Sequence, residues 1–375
     1  MILTIVAVVV RASARSVGEG PPTSVDLKAR ARLLLDGWKL DGLSKVGSKL
    51  VTAWRSPNGK RLHSVETNTD PPFIFAYNPL DMDMARMAKK WVLEPAITLA
   101  WNDAARSCCG RTDGPYDVVD VGANFGWFSL FSAALGCRVL AFEPVPEWNE
   151  AFALGLALNR GFSRRVRVVK KAVHSEASDV ALHVPKTDDG RSRFLGMTYM
   201  NGSAGMIKGY SNVETYVHVA KTASVDDFFQ DSTPTSRVCV FKADVEGYEP
   251  QVFATAQRLF LRGQVQHVHM EMTRSRDREQ SCAILKLLTT LRRLGFTFTQ
   301  STHAMVDRES LPIGSWSVRR SNGSGVFMPF PSDSTMARAR RHQTSPMKEA
   351  LVHDFATFST NLVGVLTRSA PHSAP

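Results

Sequence analysis

The sequence predicts an α/β fold: a mostly parallel sheet with helices on both faces, over about residues 116–330. Three observations predict it. Short apolar runs alternate with longer amphipathic ones from Tyr116 onward. The first of these junctions is a glycine loop, Gly122 to Gly126. Finally, the apolar runs are short, as buried strands of a sheet covered on both faces are.

The elements follow in order. Tyr116–Val121 reads as a strand, Trp127–Leu135 as a helix closed by Gly136, and Arg138–Phe142 as a strand stopped by Glu143-Pro144. Trp148–Asn159 reads as a helix ended by Gly161. Val166–Val169 and Val180–Val184 read as strands, and Pro185–Tyr216 as an irregular insertion. Val238–Ala243 is a strand, and Pro250–Leu261 is a helix with proline at its start, where a missing N–H costs nothing. Val265–Met272 is a strand and Ser281–Leu294 a helix ended by Gly295. Phe296–Phe298 and Val326–Met328 are candidate closing strands. This βαβ succession is Rossmann-like.

Both flanks read as helical. Residues 15–115 form an extension with helices over Val25–Trp38 and Met82–Ala105, the second interrupted at Pro95. Residues 331–375 read as a basic linker, with Arg338, Arg340 and Arg341. An amphipathic helix follows, carrying Leu351, Phe355, Phe358, Leu362 and Leu366 on one face.

Residues 1–14 resemble a leader: Ile2–Val10 is apolar and Ala12-Ser13-Ala14 supplies a small-residue cleavage pattern. That points to the secretory pathway, with a cytoplasmic location as the alternative. No stretch approaches the ~20 apolar residues of a membrane-spanning helix.

The formal net charge of +11 is spread along the chain, which excludes a dedicated nucleic-acid tail. Two cationic clusters stand out, Arg160 to Lys171 and Arg274 to Arg278, each a solvated face or a site for an anionic substrate. The five cysteines match no zinc spacing, and Cys137 and Cys239 lie in apolar runs as small buried hydrophobes.

The loop Asp120-Val121-Gly122-Ala123-Asn124-Phe125-Gly126 follows a strand and opens a helix. Glu143 ends the next strand, where an acid accepts both hydroxyls of a ribose. Asp120 suits the cationic amino-acid end of S-adenosylmethionine (SAM) and opposes a pyrophosphate, so SAM is favoured over a dinucleotide.

Together with Phe142-Glu143-Pro144 and the block Phe241-Lys242-Ala243-Asp244-Val245-Glu246-Gly247-Tyr248-Glu249, this loop resembles the FkbM-type SAM-dependent methyltransferases. Ala172-Val173, Ser224–Phe228 and Met270-Glu271 extend the likeness over about residues 90–300. The resemblance implies a seven-stranded class I methyltransferase sheet within residues 116–330. It puts Asp120, Gly122, Ala123, Asn124 and Gly126 at the methionine end of SAM, Glu143 at the ribose, Ala172 and Val173 near the adenine, and Asp244 beside the methyl group.

Methyl transfer to a hydroxyl also needs a base. Asp244 is the first candidate, with Glu246 and Glu271 beside it; Glu249 reads as a loop-fixing residue, and His267 and His269 as packed strand residues. No metal ligands are assigned. The family points to O-methylation of a glycan or another hydroxylated small molecule. Alternatives are an RNA or protein methyltransferase, although no nucleic-acid module is visible, and a non-catalytic SAM-fold scaffold.

Overall fold

The computed structural model describes residues 37–81, 87, 90–176, 178–185, 199–200, 215–231, 233, 236–272, 278–301, 327–329 and 360–366. The leader, most of the helix expected at Val25–Trp38, the Arg274 cluster and most of both the insertion and the tail lie outside them.

The central sheet has eight strands among the described residues. Five are parallel: β5 (Val118–Val121), β6 (Val139–Phe142), β7 (Val166–Val169), β12 (Val238–Ala243) and β13 (Val265–Met272), in the order β13-β12-β5-β6-β7. The order reverses between β5 and β12, so a crevice opens at the carboxyl ends of those two strands. Side chains along a strand point alternately to opposite faces. Val118, Val139 and Ala141 therefore join one core, and Val119, Leu140 and Phe142 the other. Helices α1 (Pro95–Cys108), α2 (Trp127–Ala134) and α3 (Pro146–Leu158) cover the first face. Helices α4 (Glu249–Thr255), α5 (Gln257–Leu261) and α6 (Arg278–Arg293) flank the second core.

Several expectations are corrected. The sheet exceeds seven strands because β16 (Thr360–Leu366), β14 (Phe296–Ser301) and β15 (Phe327–Pro329) add antiparallel to β13. Thus Leu362 and Leu366 lie in a strand and not in the expected helix. Thr360, Val363 and Val365 favour extended backbone, and β13 and β14 offer ladders on both sides.

Among its described residues, the N-terminal extension is not mostly helical. Its strands β1 (Lys39–Val46), β2 (Lys49–Arg55), β3 (Arg61–Glu66) and β4 (Ile74–Tyr77) form an antiparallel meander. Trp54 and Leu62 from one face of it, and Val51, Val65 and Phe75 from the other, join the core shared with α2 and α3. Tight turns at Gly47 and Gly59, both left-handed, join the first three strands. Helix α1 does begin at Pro95, where the sequence placed a break, and runs on to Cys108.

The insertion is bounded by strands: β9 (Asp179–Pro185), β10 (Tyr199–Met200) and β11 (Thr215–Ala223) form a sheet with β8 (Ala172–Val173). Cys137 and Cys239 are fully buried, but as halves of disulfides. Cys108 joins Cys239 and Cys109 joins Cys137, with Cα separations of 5.5 and 5.0 Å. Both bonds tie the end of α1 to the parallel sheet.

Candidate active site

The glycine loop leaves β5 at the switch point. The Gly122 and Ala123 amides donate to the Phe142 carbonyl at 3.1 and 3.0 Å, so the loop turns across the end of β6. Gly122 has φ +76°, and a Cβ there would overlap the Asp244 carbonyl oxygen. Gly126 has φ +85°, and a Cβ there would overlap the Phe152 ring. Two loops therefore meet with no room for a side chain between them. Asn124 is also left-handed (φ 53°), and its Oδ1 accepts the Phe125 amide at 2.7 Å. Helix α2 starts at Gly126 with no side-chain cap and no acid in its first turn. A helix start without a side-chain cap favours an anionic group.

Glu143 lies beneath this loop, 1% exposed. Its Oε2 accepts the Asn124 amide at 2.7 Å and its Oε1 the Val145 amide at 2.8 Å. Burial pushes its pKa up to about 8, against the lowering effect of the two amides and Lys242. Its own amide donates to Val169 at 3.1 Å, so the turn carrying Ala172 and Val173 starts beside it. Both of those residues are buried.

Asp120 is fully buried. Its Oδ2 accepts from the Ser129 hydroxyl at 2.7 Å and its Oδ1 faces Lys242 Nζ at 3.3 Å. Lys242 is quoted in the family block but was given no role by the sequence reading, and here it is central. It is 6% exposed. Its ammonium lies 3.3 Å from Asp120 and 3.3 Å from Asp244, donates to the Gly122 carbonyl at 3.0 Å, and sits 5.5 Å from the centroid of the Phe128 ring. Burial opposes its charge, but Asp244 and then Asp120 outweigh burial and raise its pKa, so it stays an ammonium. A lone lysine in the apolar run Val238–Ala243 is the signal that could have found it. Glu94 at the start of α1 adds to the field at Lys242 and was not foreseen either.

Asp244 follows β12, and its amide donates to the Val121 carbonyl at 3.1 Å. Its side chain is 31% exposed. One carboxylate oxygen from each of Asp244, Glu246 and Glu271 lies within 4.8 Å of the others, so the three candidate acids do converge. That oxygen set suits an acid–base cluster or a hard divalent cation. Glu246 is left-handed (φ 56°). Glu249, 1% exposed, accepts the Val245 and Gly247 amides on Oε1 at 3.1 and 3.2 Å and so holds the loop from within. Burial raises its pKa to about 7.

The histidines are not among the three converging acids, although His269 lies opposite Lys242 in the β12–β13 ladder. His267 shares a hydrogen bond with the Ser107 hydroxyl at 3.2 Å. His269 packs edge-on against Trp101, and burial lowers its pKa to about 3, so it is neutral and a poor base.

Residues 120–298 match the family model described as the methyltransferase FkbM domain. No curated protein matches the chain. Among solved structures, a methyltransferase FkbM from Methylobacillus flagellatus KT shares 14% identity over 58% of this chain and 56% of its own, with a TM-score of 0.31. The chain thus spans little more than half the length of that protein. A precorrin-6y C5,15-methyltransferase from Geobacter metallireducens GS-15 shares 10% identity over 72% of this chain and 86% of its own, with a TM-score of 0.29. A putative RNA methyltransferase from Pyrococcus horikoshii shares 14% over 55% and 72%, with a TM-score of 0.26. These likenesses are too distant to bear on activity. The family match does not depend on them: residues 120–298 of this chain match the methyltransferase FkbM domain.

Proposed function

We propose that the protein is a SAM-dependent O-methyltransferase acting on a hydroxyl of a carbohydrate or another small molecule. The observation that carries this reading is the meeting, at one switch point, of an uncapped helix start behind a side-chain-free glycine loop, a buried acid under that loop and a cluster of carboxylates on the next strands. SAM supplies the electrophilic methyl carbon.

The residues present fit that cofactor. Gly122 and Gly126 keep the loop free of side chains, and the first amides of α2 face its carboxylate end. Each Glu143 oxygen accepts one amide and keeps a lone pair for a ribose hydroxyl. Ala172 and Val173 border the adenine. Asp120 acts through Lys242, because its oxygens are engaged by Ser129 and Lys242 and it has no exposed surface. Asp244, half-buried like Glu246 and Glu271, takes the proton of the acceptor hydroxyl. Glu246 and Glu271 lie beside it.

The reaction belongs in an oxidising compartment. Two disulfides that close on buried sulfurs support a secretory location over a cytoplasmic one.

Calorimetric titration with SAM, and with NAD as the comparison, tests the cofactor. Micromolar binding of SAM alone is the expected result. An acceptor screen by mass spectrometry then looks for a gain of one methyl group on a hydroxyl. Asp244→Asn is expected to keep SAM binding within about threefold and to lose about 10²-fold or more in transfer, the usual worth of a positioned base. Unchanged transfer would remove Asp244 from the role of base. A folded protein that binds no SAM would turn the reading towards a non-catalytic scaffold.

A further inference from the structure

The parallel sheet ends on one side at β7, and that edge is basic. From residue 160 to residue 171 the chain carries Arg160, Arg164, Arg165, Arg167, Lys170 and Lys171, and no acid. All six are exposed. Among the described residues none of them pairs with a carboxylate.

Two of the six are oriented by neutral partners, which leave their charge uncancelled. Arg165 donates to the Gly136 carbonyl at 2.6 Å. Arg167 donates to the Tyr116 hydroxyl at 3.0 Å and lies 4.9 Å from the centroid of the Phe228 ring. A lysine or two suffices to keep a strand edge from pairing with another chain. Six unneutralised cations in one short stretch exceed that need and raise the local concentration of anions.

The strip has a direction. From Arg165 to Lys171 it extends about 20 Å at ~3.3 Å per residue. That suits a chain better than a single small anion. Its far end is the carboxyl end of β7, where Val169 accepts the Glu143 amide. A polymer lying on the edge is thereby led towards the end of the sheet that carries Gly122 and Asp244. Nucleic acid and acidic glycan share the required charge. The two disulfides favour surroundings in which the anionic polymer is a glycan.

We propose that the β7 edge is a docking strip for an acidic glycan, sulfated or uronic, that presents the methyl-accepting hydroxyl. The proposal rests on the carbohydrate reading above and deepens it.

The test uses the full chain and a size-fractionated heparin oligosaccharide as the probe, at about 0.15 M NaCl, where weak surface attraction is screened. One variant carries Arg160→Gln, Arg164→Gln, Lys170→Gln and Lys171→Gln. A second carries Lys39→Gln, Lys45→Gln, Arg61→Gln and Arg111→Gln, exposed cations on other surfaces. Each removes four of the charges behind the +11 total. The expected result is a loss of about tenfold or more in heparin affinity for the edge variant, with a shallower salt dependence, and less than about twofold for the other.

Equal losses in both variants would mean that net charge alone binds heparin, and would overturn the proposal. So would the absence of binding in the parent chain. Edge-dependent binding of single-stranded RNA or of anionic vesicles at matching affinity, with heparin weaker, would overturn the glycan assignment. SAM titration of the same samples keeps the two readings apart. Heparin failure with intact SAM binding falls on the edge alone, and SAM failure falls on the methyltransferase reading.

Discussion

Replacing Lys242 by Met removes the buried cation between the two site loops while keeping most of the side-chain volume. Two carboxylates lose their partner at 3.3 Å, and the Gly122 carbonyl loses a donor. At an effective dielectric of ~20, one pair at that separation amounts to about 5 kcal/mol. Asp120 is fully buried and takes the full effect, whereas the side chain of Asp244 is 31% exposed and is partly screened. Leaving one charge of a buried pair uncompensated costs about 3–5 kcal/mol in general, in line with that figure. At about 2–4 °C per kcal/mol for large domains, Tm falls by about 6–20 °C. The assay is urea unfolding followed by tryptophan fluorescence, alongside calorimetry. The double variant Asp120→Asn/Lys242→Met restores charge balance and should regain at least about half of the loss. A Lys242→Met protein within ~1 kcal/mol of the parent, or a double variant no better than the sum of the single ones, would refute the central place given to this lysine.

Four further outcomes are expected. Glu143 keeps its proton to about pH 8 in the folded chain but releases it near 4.5 when unfolded. The folded state therefore binds the extra proton between those values, and stability falls as pH rises through that window. Glu143→Gln should flatten this fall, by up to about 1.4 kcal/mol per pH unit, in unfolding curves taken from pH 5 to 8; an unchanged slope would show that Glu143 is not the group responsible. Ribose hydroxyls favour the charged carboxylate, so SAM binding at pH 7 should release up to about one proton, read from calorimetry in two buffers of different ionisation enthalpy. Gly126→Ala combines a left-handed backbone with overlap on Phe152 and should cost about 2–4 kcal/mol, with Phe152→Leu giving partial recovery; additive losses would argue against the contact. The disulfides span 131 and 28 residues, so a chain-entropy model gives about 5 and 3.5 kcal/mol for closing them. Dithiothreitol should lower Tm sharply, and a thiol assay on the unfolded, unreduced protein should find one free cysteine, Cys282; five free thiols would refute both bonds.

The parallel core was legible because its strands are short runs rich in apolar and β-branched residues, bounded by turn signals. Strands β7, β12 and β13 fall on the residues expected, and Gly136, Gly161 and Gly295 follow their helices as predicted. The meander was misread for the opposite reason. Strand β1 is almost entirely exposed and β2 and β3 only partly buried, so charged and small residues interrupt the apolar alternation. The turn signals were nevertheless in place, at Val46-Gly47-Ser48-Lys49 and Pro57-Asn58-Gly59-Lys60. In the tail, Leu362 and Leu366 fit a helical period as well as a strand, and only the ladders offered by β13 and β14 decide between them.

The sequence by itself determined the β5 loop, the acid after β6, and the carboxylates after β12 and on β13. Those features are local: backbone freedom at glycine and a charge at a strand end need only a few neighbouring residues to be read. The tertiary structure alone decided which of these groups is open to a ligand and which is consumed inside the fold. Asp120, expected at the cofactor, is fully buried with Ser129 and Lys242 on its oxygens. The pairings Cys108–Cys239 and Cys109–Cys137 join residues 131 and 28 positions apart. Burial and long-range partnership depend on what the rest of the chain brings alongside, and no local pattern of residues encodes that.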